Sequence, residues 1–287
     1  MKVKDTVFSA KHTMTIEGKL ISLDQALVMG ILNVTPDSFF DGGKHNSEYN
    51  ALLQTEKMLE DGADFIDIGG YSTRPGASVV EEEEEIKRII PIIKAIKHRF
   101  SDAYISIDTF RPNVAKRAVE AGACMVNDIS GGELGRGMLE MVAALKVPYI
   151  LMHSKGNPQT MQSLNQYENL QLEVINYFAE KIEVLRKLGV KDIIIDPGFG
   201  FSKDINQNYE LLCKLQSLTF LGLPILTGVS RKSMIYKYLD TEPAQALNGT
   251  TALHMYALTK GAKILRVHDV KEAVETVMLY NKLESVV

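Results

Sequence analysis

The sequence predicts a (β/α)8 barrel, because eight apolar segments alternate with helical stretches along a chain of 287 residues. Barrels of this class typically use roughly 250 residues. Four segments share one local pattern, in which a glycine leads into a short apolar run that ends in a polar residue: Gly62–Asp67, Gly122–Asn127, Gly189–Asp196 and Gly261–Arg266. A glycine that ends a helix and precedes a buried parallel strand produces this pattern. An open doubly wound sheet is the alternative architecture, and the count of eight strands favours the barrel over it.

The barrel strands are predicted at short apolar runs with polar ends. They are Val28–Leu32, Phe65–Ile68, Ala103–Asp108, Cys124–Asn127, Val147–Met152, Asp192–Asp196, Pro224–Val229 and Lys263–Val267. Before the first strand, Val7–Asp24 is predicted to form a hairpin with its turn at Glu17-Gly18. We find no linker rich in Pro, Gly or Ser, so we expect one domain, 1–287, with residues 1–26 as an N-terminal hairpin extension.

The predicted helices follow the 3.6-residue spacing of apolar side chains. The clearest is Glu168–Leu188, whose expected buried face consists of Leu172, Ile175, Phe178, Ala179, Ile182, Leu185 and Leu188. The acidic run Glu81–Glu85 resembles an interaction patch, but it stands where a helix begins, and negative charge there complements the helix dipole. We therefore interpret the run as a helix start.

Composition and charge exclude several classes of protein. Lys and Arg total 32 against 36 for Asp and Glu, which gives a formal net charge of −4 and argues against a nucleic-acid surface built on bulk positive charge. Cys124 and Cys213 have no CxxC or metal-ligand spacing, so neither a disulfide framework nor a structural zinc is expected. The N-terminus has no apolar signal region, and the longest apolar stretch, Ala26–Leu32, is too short for a membrane span. We expect a cytoplasmic protein without nucleic-acid or membrane partners.

Polar residues follow all eight predicted strands, at the end of a barrel where active sites form. They are Asn33, Gly69–Gly76, Asp108, Asn127-Asp128, Met152-His153, Asp196–Phe201, Ser230–Ser233, and Arg266 with His268. Any one of them could instead cap a helix or form a turn. Eight together indicate a ligand site.

The residue types at these ends suggest the ligand's chemistry. Arg266 and His268 are two apart on a strand, so they project to the same side and suit a phosphate or diphosphate. The alternative is that they form salt bridges to Asp269 or neighbouring acids. Asp108 and Asp196 end apolar strands, where a carboxylate needs donors such as the N–H edge of a ligand. No GxxxxGK[ST], GxGxxG or GxSxG motif is present, so neither nucleotide binding of the familiar kinds nor a hydrolase is indicated. Lys232 in Ser-Arg-Lys-Ser looks more like an anion or carbonyl ligand than the Schiff-base lysine of an aldolase.

Eight motifs in order, one at each barrel strand, resemble the dihydropteroate synthase family. They are MGILNVTPDSFFDGG (Met29–Gly43), DIGGYSTRPGA (Asp67–Ala77), SIDTF (Ser106–Phe110), NDISGG (Asn127–Gly132), LMH (Leu151–His153), DPGFGFSK (Asp196–Lys203), GVSRKS (Gly228–Ser233) and RVHD (Arg266–Asp269). The resemblance implies a (β/α)8 barrel, usually a homodimer. Its activity would join 6-hydroxymethyl-7,8-dihydropterin diphosphate to 4-aminobenzoate and release diphosphate in folate biosynthesis, with sulfonamides as competitors.

The resemblance also implies a role for each matching residue. Asp108 and Lys232 would be catalytic, and the pterin would contact Asp108, Asn127, Met152, Asp196, Arg231 and Lys232. The diphosphate would contact Thr73, Arg74, Arg266 and His268. The 4-aminobenzoate would contact Thr73, Pro75, Phe201 and Ser233. Magnesium (Mg²⁺) would be held by the phosphates and Asn33.

Two positions depart from the family pattern, and two other functions compete with the synthase. Tyr71 stands where many bacterial members have Glu, and Phe40 where a small residue is common.

A pterin-dependent methyltransferase shares the barrel and the pterin-facing Asp and Asn, but it has no diphosphate to expel. A non-catalytic pterin-binding protein is the third reading, and it would bind pterin without releasing diphosphate.

Overall fold

Eight parallel strands close into a barrel in the computed structural model, which describes residues 13–34, 44–71, 80–157 and 159–286. The strands are β3 (Leu27–Asn33), β4 (Phe65–Gly69), β5 (Tyr104–Asp108), β6 (Met125–Asp128), β7 (Tyr149–Met152), β8 (Ile193–Asp196), β9 (Ile225–Thr227) and β10 (Ala262–Val267). Neighbours along the chain pair in order, and β10 closes the barrel by pairing with β3. The predicted (β/α)8 architecture is confirmed, with each strand within about two residues of its predicted ends.

A two-stranded hairpin precedes the barrel, as expected. Its strands are β1 (Thr13–Ile16) and β2 (Lys19–Ser22), and residues 7–12 of the predicted hairpin lie outside the described part of the chain. Glu17 and Gly18 have φ of 49° and 77°, the left-handed pair that suits a two-residue hairpin turn. Met14 and Ile16 are buried among the apolar side chains inside the barrel, so the hairpin packs against the amino ends of the strands.

The helices surround the barrel and bury their apolar faces against it. They are α1 (Lys44–Glu60), α2 (Glu82–Arg99), α3 (Pro112–Glu120), α4 (Met138–Leu145), α5 (Leu170–Lys187), α6 (Ile205–Cys213), α7 (Ser233–Tyr236), α8 (Leu247–Thr259) and α9 (Val270–Glu284). Short 3₁₀ helices lie at Met161–Ser163, Leu215–Leu221 and Pro243–Gln245. Most of the core therefore lies between helices and strands, and a smaller apolar cluster fills the barrel interior.

The acidic run opens α2, as predicted. Glu81 occupies the N-cap position and Glu82–Glu85 form the first turn. Glu85 is nevertheless fully buried, and its Oε2 accepts a hydrogen bond from Nη1 of Arg111 at 2.6 Å. One of the five carboxylates thus joins α2 to the segment after β5.

The predicted buried face of α5 is correct for Phe178, Ile182 and Leu185 and wrong for Leu172, Ala179 and Leu188. Leu170, Val174, Phe178, Ile182 and Leu185 are buried, whereas Leu172 and Leu188 are 53% and 38% exposed and Ala179 is also exposed. Leu172 is two residues from the buried Leu170, which places it about 200° around the helix. Leu170 and Leu172 can each belong to an apolar stripe of the helix. Only the contact with the barrel determines that the stripe containing Leu170 is buried.

Two further expectations concern thiols and membranes. Within the described residues, the buried Cys124 and the exposed Cys213 are both free thiols. No helix in the described ranges combines the length and apolar character that a membrane crossing requires.

Candidate active site at the carboxyl end of the barrel

Polar side chains from several strands form one layer above the apolar filling of the barrel. Phe65, Met125, Ile194 and Ile264 belong to the apolar cluster inside the barrel. The residues two positions further along the same strands are Asp67, Asn127, Asp196 and Arg266. Because side chains alternate between the two faces of a strand, these four also point into the barrel, nearer its carboxyl end. Strand alternation therefore assembles residues from β4, β6, β8 and β10.

Arg266 is held between two carboxylates. Its Nε donates to Oδ2 of Asp67 at 2.6 Å, and its Nη2 donates to Oδ2 of Asp108 at 2.7 Å. Arg266 is therefore ion-paired, which is the alternative expected from the sequence, but its partners are Asp67 and Asp108 and not Asp269. A guanidinium has five N–H donors, and these bonds use two of them, so Arg266 retains donors for an anion.

The charges around Asp108 perturb its ionisation. Burial raises the pKa of Asp108 to about 7; Arg266 opposes this shift, and the negative charge of Asp67 adds to it. Burial disfavours the charged form of Arg266, but Asp67 and Asp108 together raise its pKa above the ordinary value. One guanidinium thus faces two carboxylates, and burial raises the pKa of Asp108 in spite of that pairing.

Asp196 and Lys232 lie near enough for each charge to affect the pKa of the other group. Asp196 lies at the end of β8 and is 6% exposed, and its Oδ1 accepts a hydrogen bond from the Gly198 N–H at 2.8 Å. Burial raises the pKa of Asp196 although Lys232 opposes the shift, and burial lowers the pKa of Lys232 to about 8 although Asp196 opposes it. Lys232 Nζ donates to the Phe199 carbonyl and lies 4.3 Å from the centroid of the Phe201 ring.

The glycines of the segment after β8 permit close packing. Gly198 has φ of 72°, and a Cβ there would lie 2.0 Å from the carbonyl oxygen of His153. Gly200 has φ of 79°, and a Cβ there would lie 3.0 Å from Cδ of Lys232. Only glycine fits these positions without strain. The groups that approach these glycines closely are the His153 carbonyl and the Lys232 side chain.

A buried lysine, which sequence reasoning did not select, braces the same segment. Lys203 is 5% exposed, and its Nζ lies 3.0 Å from Nδ1 of His153. It also donates to the carbonyls of Gly198 and Phe201 at 3.2 and 3.1 Å. Burial lowers the pKa of Lys203 to about 7 and, together with the Lys203 charge, lowers that of His153 to about 2. His153 is therefore a neutral, buried acceptor behind the strand ends.

Asn127 and Asp128 end β6 side by side but have different surroundings. Asn127 Nδ2 donates to Oδ2 of Asp67 at 3.0 Å inside the barrel. Asp128 accepts from the Ser130 N–H at 2.8 Å, from the Gly132 N–H at 2.8 Å and from the Tyr149 hydroxyl at 2.8 Å. Asp128 therefore shapes the turn after β6, which is the structural alternative considered for any single polar strand end.

Arg231 and His268 lie at the rim. The Arg231 guanidinium donates to both carboxylate oxygens of Asp269, with Nε–Oδ2 at 2.8 Å and Nη2–Oδ1 at 2.7 Å. The backbone of Arg231 has φ of 54°, a left-handed conformation. His268 is exposed, and its Nδ1 lies 3.1 Å from Oγ of Ser230. Asp269 thus pairs with Arg231, although the sequence suggested it as a partner for Arg266.

Four other predicted site residues have described positions. Met152 is buried at the end of β7, Asn33 is half-buried at the end of β3, Phe201 follows β8, and Ser233 begins α7. Three predicted residues, Thr73, Arg74 and Pro75, lie outside the described residues, and so does Phe40. The other departure, Tyr71, packs edge-on against Phe110 with ring centroids 5.4 Å apart.

Asp67 is the residue at the centre of this arrangement that sequence reasoning used only as a strand end. It is fully buried and accepts hydrogen bonds from both Arg266 and Asn127. A signal was available, because a charged residue interrupts the apolar run Phe65-Ile66-Asp67-Ile68 within a strand. Buried carboxylates require partners, so such a residue indicates a polar network.

Comparisons with known proteins match nearly the whole chain. A family model described as pterin binding enzyme matches residues 29–268. The dihydropteroate synthase of Escherichia coli (strain K12) is 45% identical over 261 residues, which cover 90% of this chain and 92% of that protein.

Solved structures agree with this relationship. The Yersinia pestis dihydropteroate synthase in a sulfonamide drug complex superposes with a TM-score of 0.89 at 42% identity, covering 95% of this chain and 99% of that one. The Xanthomonas albilineans enzyme in complex with 7,8-dihydropteroate gives 0.85 at 37% identity, covering 95% and 98%. Sequence, fold and the residues at the strand ends thus agree, and the chain belongs to the pterin binding enzymes, in the family of the dihydropteroate synthases.

Proposed function

We infer that this protein condenses 6-hydroxymethyl-7,8-dihydropterin diphosphate with 4-aminobenzoate, forming 7,8-dihydropteroate and releasing diphosphate in folate biosynthesis. The observation that carries this conclusion is the close match to a dihydropteroate synthase solved with 7,8-dihydropteroate, a molecule that contains both a pterin and an aminobenzoate. The protein is accordingly a transferase. Its polar layer at the carboxyl end of the barrel supplies the complementary chemistry.

The pterin edge would meet Asp196, Asn127 and Lys232. The aminopyrimidine edge of a pterin offers N–H donors, and the Asp196 carboxylate and the Asn127 amide oxygen can accept them. Lys232 has three N–H donors and uses one on the Phe199 carbonyl, so it retains donors for the pterin carbonyl side. Met152, buried beside them, supplies an apolar wall.

Asp108 would stabilise the positive charge that develops as the exocyclic C–O bond breaks. Its carboxylate is already directed into the barrel mouth by the bond from Arg266. A fixed negative charge in a water-poor site stabilises a developing cation more strongly than it does in water. The aniline nitrogen of 4-aminobenzoate is a weak base and attacks without prior deprotonation, so Asp108 need not act as a strong base.

The diphosphate would bind at Arg266 and His268. Both lie at the end of β10, and Arg266 presents the guanidinium donors that its two carboxylate partners do not use. Neutralising the phosphate oxygens makes diphosphate a better leaving group. Thr73 and Arg74, predicted to contact the same group, belong to the segment outside the described residues.

Magnesium is proposed as the metal, with Asn33 as its protein ligand. A Cβ placed on Gly69 would lie 3.8 Å from Oδ1 of Asn33 and 3.7 Å from Oδ2 of Asp108, so both oxygens face the space over Gly69. Within the described ranges, no group of three or more His, Cys, Asp or Glu residues could hold a metal ion. A single amide oxygen fits Mg²⁺, which commonly binds few protein ligands and completes its shell with phosphates and water. When bound, the ion would supply positive charge to the leaving diphosphate.

The aminobenzoate would lie beside Phe201 and Ser233. The Phe201 ring, under Lys232 Nζ, offers an apolar face to the benzene ring. The half-buried Ser233 can donate its hydroxyl to the carboxylate. Sulfonamides, which resemble 4-aminobenzoate, should therefore compete with it. Pro75, the remaining residue of this predicted set, lies outside the described residues.

A homodimer is proposed from the outer surface. Met278, Leu279 and Leu283 of α9 are 65%, 63% and 57% exposed, and Tyr256 of the adjacent α8 is also exposed. Several large exposed apolar side chains on adjacent helices are typical of a protein interface. Light scattering at micromolar concentration should give twice the mass of the chain, and Leu279→Lys should reduce that mass to one chain.

A cytoplasmic location is proposed from the thiols. Two free cysteines, one of them exposed, suit a reducing compartment. Fractionation of cells that produce the protein, with antibody detection, should recover it with cytoplasmic markers.

The activity is tested by measuring diphosphate release from 6-hydroxymethyl-7,8-dihydropterin diphosphate with Mg²⁺, with and without 4-aminobenzoate. We expect release that depends on 4-aminobenzoate and yields equimolar 7,8-dihydropteroate. Omitting Mg²⁺ should slow release, which tests the metal separately. Pterin binding without release would contradict the synthase activity and favour a methyltransferase or a non-catalytic pterin-binding protein.

A further inference from the structure

Asp67 connects groups from opposite sides of the barrel interior. The strand order β10-β3-β4-β5-β6 places β4 two strands from β10 and two strands from β6. One oxygen, Oδ2 of Asp67, nevertheless accepts from Nε of Arg266 on β10 at 2.6 Å and from Nδ2 of Asn127 on β6 at 3.0 Å. The side chain is 0% exposed. A single buried carboxylate thus contacts both Arg266, which is proposed to bind the diphosphate, and Asn127, which is proposed to bind the pterin.

The bond to Asn127 determines which end of its amide faces a ligand. An Asn side chain has a donating NH₂ on one side and an accepting oxygen on the other. Because Nδ2 is directed at Asp67, Oδ1 is directed away from it. The amide therefore presents an acceptor, which is the group that the N–H edge of a pterin requires.

The bond to Arg266 determines the plane of its guanidinium. Nε bonds Asp67 and Nη2 bonds Asp108, and these nitrogens share one edge of the group. With that edge occupied by carboxylates, the terminal edge, formed by Nη1 and the second N–H of Nη2, remains available for an anion. Planar two-point recognition of this kind gives an arginine geometric specificity for phosphate.

We propose that Asp67 is a positioning residue, which acts through Arg266 and Asn127 to hold the diphosphate and pterin groups in register without touching either substrate. This inference rests on the proposed function for the identity of the two ligands. A carboxylate has the acceptor capacity for both bonds, and its charge matches the guanidinium. Burial keeps water from competing for either donor.

A purely structural role for Asp67 predicts different behaviour. If the residue only stabilised the barrel, its loss would lower the stability and the active fraction of the protein, while KM and the dissociation constants of the folded molecules would stay unchanged. Ser106 provides a matched control, because it is the register neighbour of Asp67 on β5 and is also fully buried. Its Oγ has no hydrogen-bond partner among the described residues, so Ser106→Ala disturbs the same layer without removing a bond.

The experiment measures binding of inorganic diphosphate and of 6-hydroxymethyl-7,8-dihydropterin by calorimetry, together with kcat and KM for the full reaction. For Asp67→Ala we expect both dissociation constants and the KM of the pterin diphosphate to rise about tenfold, the loss typical of a removed hydrogen bond to a charged group. Asp67→Asn keeps an acceptor oxygen of the same shape and should recover part of that loss. Ser106→Ala should match the wild type.

A double-mutant cycle tests whether Asp67 acts through Arg266. In the Arg266→Ala background, adding Asp67→Ala should cause no further loss of diphosphate binding, because the residue to be positioned is absent. Additive losses, or equal losses in Ser106→Ala, would overturn the proposal. If Asp67→Ala does not fold, Asp67→Asn keeps the test decisive. Wild-type binding in Asp67→Asn would refute the proposal, and so would a loss that is additive with that of Arg266→Ala. Absence of turnover in the wild type would count against the proposed function alone, because the binding measurements do not require turnover.

Discussion

Replacing Asp108 with Asn should remove activity and stabilise the folded protein. Asp108 and Asp67 share a single guanidinium, and burial with the adjacent charges raises the pKa of Asp108 to about 7. Asparagine has the shape of the neutral acid and can still accept a bond from Arg266. It cannot supply the negative charge that a developing pterin cation would need, so kcat should fall by about two orders of magnitude or more.

The expected stabilisation follows from the difference in the pKa of Asp108 between the folded and unfolded states. The pKa of Asp108 rises from 3.8 to about 7 on folding. Between these values the folded protein holds a proton that the unfolded chain has lost, so the free energy of unfolding falls as pH rises through this window. A difference of about three pKa units corresponds to about 4 kcal/mol at pH 8 and to less than about 1 kcal/mol at pH 4. Asp108→Asn removes this penalty.

Thermal melts without ligand, from pH 4 to pH 8, provide the assay. For a chain of this length about 4 kcal/mol corresponds to a rise in Tm of roughly 7 °C at pH 8, and the difference should nearly vanish at pH 4. Asp102→Asn removes an exposed carboxylate from the turn before β5 and should leave Tm unchanged at each pH. A Tm for Asp108→Asn that is lower than wild type at pH 8, or a difference independent of pH, would refute the charge reasoning.

Three other substitutions test Lys232, the cap of α6 and a glycine in the turn after β6. Lys232→Met keeps the apolar stem but removes the donors and charge, so kcat/KM for the pterin diphosphate should fall about 10²-fold in steady-state assays with Tm maintained; unchanged kinetics would remove Lys232 from the site. Asp204→Ala deletes the capping box of α6 and should cost about 1 kcal/mol in urea unfolding without changing kcat; an equal loss of activity would contradict a purely local cap. Gly131→Ala, with φ of 57° and a Cβ only 1.8 Å from the Tyr177 hydroxyl, should lower Tm more than Gly137→Ala, where φ is 84° and nothing lies within 4 Å. Equal Tm values for the two alanine variants would show that the contact is relieved by small movements.

The strands were predictable because their cause is local. A buried parallel strand is apolar on both faces, and in four of the units a glycine before the strand ends a helix, so the signature is local. The left-handed φ of 95°, 119°, 88° and 95° at Gly62, Gly122, Gly189 and Gly261 agrees with that interpretation. The exposed Leu172 of α5 was not predictable, because an apolar residue does not specify which surface will cover it.

The positions of the candidate site residues were also predictable, since barrel topology brings all strand ends to one face. Their partners were not. The pairing of Arg231 with Asp269 spans 38 residues, and that of Arg266 with Asp67 spans 199. Arg266 lies near the end of β10, Arg231 follows β9, and both have acids nearby in sequence. Residue type alone therefore does not predict that Arg231 pairs at the rim and Arg266 pairs inside the barrel.

The sequence by itself determined the barrel, the hairpin, the family and the set of polar strand ends, because each depends on residue type, order and short-range spacing. The tertiary structure decided which of those polar groups share protons, charges and hydrogen bonds. Asp67 became a shared acceptor for β6 and β10 only when the barrel closed, since bond lengths near 3 Å between strands far apart in the chain depend on register and curvature. The raised pKa of Asp108 has the same origin, because desolvation and the charges of Arg266 and Asp67 act on it only in the folded barrel.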